Sequence, residues 1–182
     1  MKRLLASLTL FFCAAMLTAQ PHAPLSPAAT TTATVNGKTI SIHYSSPRVR
    51  DRAGKLFGTN GLIAHDPHYP IWRAGANAAT ALHTDADLEI GDLQVPKGDY
   101  SLFVDLSNPS EWVLVISKAT GEWGLSYDKA QDLGHVKMSM VTPPALQEEL
   151  TYSLPGLSEG KNAGKLILAW ENFSGSVDVT VK

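Results

Sequence analysis

The side chains with the most chemical potential crowd into Tyr69-Pro70-Ile71-Trp72-Arg73-Ala74-Gly75-Ala76-Asn77-Ala78-Ala79-Thr80. A guanidinium fork suits a carboxylate or a phosphate, so Arg73 could converge with Arg48, Arg50 and Arg52 on an anion. A second role competes with that one. Irregular backbone leaves carbonyls without ladder partners, and the about five donors of an arginine can satisfy them. The sequence favours this structural role for Arg52 and Arg73. Asn77 could likewise cap loop backbone or read a ligand.

The four tryptophans invite a carbohydrate reading, because sugar rings stack on flat aromatic faces. Trp112 and Trp170 fall in strand-like runs and read as core. Trp72 and Trp123 fall in loops and are the better ligand candidates of the four, while packing in the core or as a loop anchor is the favoured account of each. The binding candidates are therefore Arg52, Trp72, Arg73, Asn77 and Trp123. No catalytic residue and no cofactor is assigned.

Three other constellations were weighed. His65-Asp66-Pro67-His68 holds two imidazoles and a carboxylate, but zinc requires further ligands and helical spacing is excluded by Pro67 and Pro70. No metal is expected; His65, Asp66 and His68 are the residues that could hold one. Asp85, Asp87 and Glu89 would share one face of a strand, where a solvated surface explains them better than calcium does. Gly156-Leu157-Ser158-Glu159-Gly160 spells a nucleophile elbow, yet that turn must lead from a strand into a helix. The sequence after it reads as a strand, and no histidine follows His135.

The elements that position these residues show a period of two. Asn36-Gly37 separates two β-rich runs, Thr30–Val35 and Lys38–Tyr44, and predicts a tight hairpin. Ser45–Asn77 has no period and predicts short helical turns and irregular backbone over the end of a domain, anchored by Trp72. From Thr80 onward the β pattern is nearly continuous. Tyr100, Leu102, Val104 and Leu106 share one face, and Trp112–Ile116 is apolar on both, as in a central strand. Val136, Met138 and Met140 predict one further strand. About eight to ten short strands without an intervening amphipathic helix predict an all-β fold, an antiparallel sandwich of jelly-roll or flattened-barrel type.

Met1-Lys2-Arg3, an apolar run from Leu4 to Leu17 and Leu17-Thr18-Ala19 have the layout of a secretory signal peptide. That run is shorter than the ~20 residues of a membrane span. The expected organisation is a signal peptide over 1–19, cleaved near Ala19, a proline-rich flexible leader over 20–29, and one domain over 30–182. Cleavage would remove Cys13, the one cysteine, so the exported domain would rely on its core without disulfides. It would also take the formal charge from −2 to −4 with the loss of Lys2 and Arg3, which gives no basic footprint for nucleic acid.

Several pieces resemble DUF2911, a bacterial family of exported domains of unknown function. They are Tyr44-Ser45-Ser46-Pro47 with Arg52, Phe57-Gly58, Trp72-Arg73-Ala74-Gly75-Ala76-Asn77 with Ala79-Thr80, Gly98-Asp99-Tyr100-Ser101-Leu102-Phe103, Trp112, Trp123-Gly124 with Tyr127, and Trp170-Glu171-Asn172. The family pattern usually has an acidic residue directly after the Asn, where this chain has Ala78. The resemblance implies a β-rich exported domain and transfers no activity.

The expected function is a secreted or periplasmic binding module, non-enzymatic, that takes a small molecule, a glycan or an envelope protein through Ser45–Thr80. The alternative is a hydrolase acting on carbohydrate or cell-envelope material.

Overall fold

Asn36 and Gly37 take φ of 50° and 73°. Both are positive, as a type I′ turn requires. They fold β1 (Ala28–Val35) onto β2 (Lys38–Ser45) in unbroken antiparallel register from Ala28↔Ser45 to Val35↔Lys38. This hairpin opens a computed structural model that describes residues 24–108 and 110–182. The segment read as a signal peptide, and residues 20–23 of the leader, lie outside the described residues.

The remaining strands are β3 (Ile71–Trp72), β4 (Thr80–Thr84), β5 (Leu88–Ile90), β6 (Leu93–Val95), β7 (Gly98–Asn108), β8 (Glu111–Ser117), β9 (Asp132–Lys137), β10 (Ser139–Val141), β11 (Gln147–Ser153), β12 (Ala163–Glu171) and β13 (Phe173–Val181). One sheet runs β1-β2-β4-β7-β8-β9, with β3 also on β7; the other runs β11-β12-β13-β5-β6, with β10 also on β13. Every pairing is antiparallel. Ile40, Ile42, Leu82, Leu102, Leu114 and Ile116 of the first sheet share one core with Leu88, Ile90, Leu150, Leu166, Leu168 and Val177 of the second. The architecture is an all-β sandwich of two open antiparallel sheets, not closed into a barrel.

At one side of the sandwich the two sheets are tied by hydrogen bonds. Thr31 Oγ1 donates to the Tyr152 carbonyl at 2.7 Å, and the Tyr152 N–H donates to the Tyr44 hydroxyl at 3.3 Å. At the other side the sheets nearly touch: a Cβ at Gly134 in β9 would lie 2.5 Å from Leu93 of β6.

Aromatic rings fill the end of the sandwich beneath residues 46–79. Trp72 from the first sheet stacks on Trp170 from the second, 5.9 Å apart and 16° from parallel. Trp112 and Phe173 form a second stacked pair across the sheets at 5.7 Å and 28°. Phe57, from the long connection, stands between the pairs and lies within 5.8 Å of all four rings.

The structure departs from the sequence reading in four places. β1 begins at Ala28, earlier than expected, because Ala28 and Ala29 complete the register opposite Ser45 and Tyr44. The Pro27 carbonyl also accepts the Ser46 N–H at 2.8 Å, so the end of the leader is bound to the domain. The expected strand through Val136–Met140 is two strands, and the chain passes from the first sheet to the second at Met138. Asp85 and Asp87 do not share a strand face with Glu89; they turn the chain, accepting the N–H of Thr39 at 3.0 Å and of Lys97 at 2.8 Å. β8 reads apolar on both faces because its outer face is covered too. Residues 118–131 fold back over Val115 and Phe103, with the Tyr127 ring edge-on to Phe103 at 5.1 Å.

Two predictions follow from this packing. Trp72 is 3% exposed, so Trp72→Ala lowers unfolding free energy by about 3–5 kcal/mol; a urea denaturation curve indistinguishable from that of the parent would refute it. On the outer face, His83 lies 2.7 Å from Asp99 and 3.2 Å from Asp85. These hydrogen bonds, Asp99 first, raise its pKa. A raised folded-state value means that the pair stabilises the fold fully below the unfolded pKa and ceases to do so as pH rises through the folded one. An NMR titration should place His83 above the ordinary histidine value of about 6.5, and Asp99→Asn should bring it down.

Candidate functional site

The connection from Ser46 to Ala79 is held down at both ends. Near its start, the Val49 N–H donates to the Glu148 carbonyl and the Arg50 N–H to the Glu148 carboxylate, each at 2.8 Å. Arg48 pairs with Glu149. The chain then turns through a 3₁₀ helix, Arg50–Arg52, with Arg50 at φ 52°. Further on, Ala74 is buried at φ 50°. Its carbonyl accepts from Thr80 Oγ1 at 3.1 Å and from the Tyr152 hydroxyl at 3.0 Å. Those two bonds offset the strain of a left-handed alanine, which costs on the order of 1–3 kcal/mol.

Between these anchors lies a cavity of about 740 Å³. Its polar rim carries Arg50, Arg52, Arg73, His65, Asp51 and Asp66. Its apolar wall includes Leu56, Ile63, Leu125, Trp72 and Trp170. Of the residues singled out from sequence, Arg52, Trp72, Arg73, His65 and Asp66 line this cavity together. The other three lie outside its lining. His68 places Nε2 2.8 Å from the Leu125 carbonyl. Asn77, at φ 61°, donates from Nδ2 to Ser45 Oγ at 3.2 Å, and its backbone carbonyl accepts the Gly124 N–H at 3.0 Å. Trp123 is 58% exposed, against the expectation that its ring packs as a loop anchor; what holds it is a backbone bridge to Ala78.

The three arginines of the rim differ. Arg52 folds back on its own turn, donating from Nε to the Val49 carbonyl at 3.1 Å and from Nη2 to the Arg48 carbonyl. Arg50 reaches the Leu25 carbonyl at 3.4 Å. Arg73 lies 3.6 Å from Asp66 Oδ2, an ion pair beyond hydrogen-bonding reach. Its Nε is buried without a partner among the described residues, and so is Asp66 Oδ2. The Asp66 side chain is 5% exposed and that of Arg73 22%. The Trp170 indole N–H, also at this wall, has no acceptor among the described residues. Guanidinium and indole N–H groups are donors only and a carboxylate oxygen is an acceptor, so the wall holds unmatched groups of both kinds, two donors and one acceptor.

Among the described residues no three His, Cys, Asp or Glu side chains converge as a metal site requires. Hydrogen-bonded histidine–carboxylate pairs occur elsewhere, at His83–Asp99 and His135–Asp132. No helix among the described residues is long and apolar enough to cross a membrane.

Sequence reasoning found the arginines and Trp72 by type, and it missed the rest of the apolar wall. Trp170 reads as core and is buried, yet it also lines the cavity. Leu125 carried no signal, because nothing in the 118–131 connection has a period.

The family described as "Protein of unknown function (DUF2911)" matches residues 26–179. No curated protein and no solved structure matches the chain.

Gly124 shapes the floor under Arg73. A Cβ there would lie 2.2 Å from the Asn77 carbonyl and 2.3 Å from Arg73 Cδ. Gly124→Ala should therefore destabilise the domain by about 1–3 kcal/mol and move the Arg73 Nε–H signal in an NMR spectrum. An unchanged melt and an unchanged signal would show that the floor is looser than its distances imply.

Proposed function

The chain belongs to the DUF2911 family, and from that premise we propose that it is an exported, non-enzymatic binding module whose cavity takes a small molecule bearing a carboxylate or a phosphate. The observation that carries this reading is Arg73. It lines the cavity, its Nε is buried without a partner, and its one ionic neighbour among the described residues is too distant for a hydrogen bond. A bidentate oxyanion would satisfy those donors. Arg50 adds a second charge at the rim, and Trp72 and Trp170 supply an apolar wall for the rest of the ligand. Export is supported by the leader sequence.

A hydrolase working through a serine is disfavoured by the placement of Ser158. This serine of the nucleophile-elbow spelling sits in a tight turn, exchanging backbone hydrogen bonds with Lys161, and a strand follows it. Nothing there presents Oγ at the head of a helix.

The test is titration of the isotope-labelled domain with galacturonate and with inorganic phosphate. Shifts should concentrate at Arg50, Arg73 and the Trp72 and Trp170 indoles. Arg73→Lys and Arg50→Gln should each weaken binding by about tenfold or more, since hydrogen bonds to charged groups contribute ~1.5–3 kcal/mol. Shifts confined to other surfaces, or parental affinity in both variants, would overturn the assignment.

A further inference from the structure

Phe57 divides the aromatic end of the sandwich into two sides. Trp72 and Trp170 face the arginine cavity. Phe57, Trp112 and Phe173 face a second and separate cavity of about 290 Å³, completed by Leu106, Gly54 and Glu171.

Glu171 is the anomaly of this second cavity. It occupies the tip of the β12–β13 hairpin, between the paired residues Trp170 and Phe173, and is 2% exposed. Its φ is 56°, a left-handed conformation that a side chain beyond Asn, Asp or Gly adopts at a cost. The Gly54 N–H donates to Oε1 at 2.5 Å. Among the described residues no lysine, arginine or histidine nitrogen lies within 4 Å of its carboxylate. A buried carboxylate without a counter-charge is unfavourable unless something supplies one.

The cavity around it has the composition for that purpose. Aromatic faces carry negative potential and attract cations, most strongly when water is excluded. Trp112 and Phe173 are stacked, while Phe57 meets Phe173 edge-on at 4.8 Å and Trp112 obliquely at 5.4 Å. Three rings and one carboxylate lining one cavity is a composition that suits an alkylated ammonium group, whose charge is spread over methyl groups that pack on rings. At about 290 Å³ the space stands at the lower bound of small-molecule pockets, which begin near ~300 Å³. That suits a compact cation and excludes a polymer.

We propose that this cavity is a binding site for a small organic cation of the alkylammonium class. Glu171 supplies the counter-charge, and Phe57, Trp112 and Phe173 supply the rings that surround the alkyl groups. The site is distinct from the arginine cavity in lining and in charge, and it stands whether or not that cavity takes an anion.

The test is calorimetric and NMR titration of the whole exported domain with choline. The neutral isostere 3,3-dimethylbutan-1-ol is the control. Choline should move the signals of Phe57, Trp112 and Phe173, and the alcohol should bind at least tenfold more weakly. Glu171→Gln keeps an acceptor for the Gly54 N–H and should lower choline affinity tenfold or more while the melting temperature holds or rises. Phe173→Leu keeps the apolar volume and should weaken choline more than the alcohol. Equal affinity for cation and alcohol would reduce the site to an apolar hollow. Unchanged choline affinity in Glu171→Gln, or no choline binding at millimolar concentration, would overturn the proposal. Binding of galacturonate or phosphate should be unaffected in Glu171→Gln, which separates failure here from failure at Arg73.

Discussion

The two sheets are joined at one end by aromatic contact. Trp72 stacked on Trp170 and Trp112 stacked on Phe173 each pair a ring of one sheet with a ring of the other, and Phe57 fills the space between them. Each pair contributes about 0.5–1.5 kcal/mol beyond the area it buries. Geometry matters more here than the sum. A connection of more than thirty residues between β2 and β4 would be costly to order by its own backbone. Its Phe57 and Trp72 side chains insert into the core and leave the polar residues between them at the rim.

Most of the sandwich was legible because its strands obey a period of two and its turns carry residues with the required φ. Asn36-Gly37 fixed the first hairpin, and the Tyr100–Leu106 alternation fixed which side of β7 faces the core. The crossing at Met138 was not legible. Val136, Met138 and Met140 keep a single alternation through it, so the pattern does not record that the hydrogen-bond partners change from β8 to β13. The site was legible by residue type and not by placement. Arginines in irregular backbone announced unsatisfied donors or carbonyls in need of them. The connection that carries them turns at the left-handed residues Arg50 and Ala74, which no propensity encodes. Glu171 was invisible for the same reason: it reads as an ordinary charged hairpin residue, and only three dimensions show it buried.

Strain is concentrated where the chain is least regular. Of the five non-glycine residues with positive φ among the described residues, Arg50, Ala74, Asn77 and Glu171 lie in the connection from β2 to β4 or at the hairpin tip against it, and Asn36 belongs to an ordinary turn. Each such residue persists because its surroundings over-determine it, as two hydrogen bonds do at the Ala74 carbonyl. The rigid sheets hold an irregular end in a shape it would not keep alone, an arrangement suited to presenting preorganised polar groups.

The tie between Thr31 and Tyr152 has a kinetic corollary. It joins residues 121 apart in sequence, and Tyr44 reaches the same strand across 108. Contacts of such separation raise contact order, because the loop-closure entropy between them must be overcome before the contact gives anything back. The hairpins can assemble locally, whereas this seam can zip only after the whole intervening chain has been laid down. Such contacts place the domain with the β proteins that fold in milliseconds to seconds.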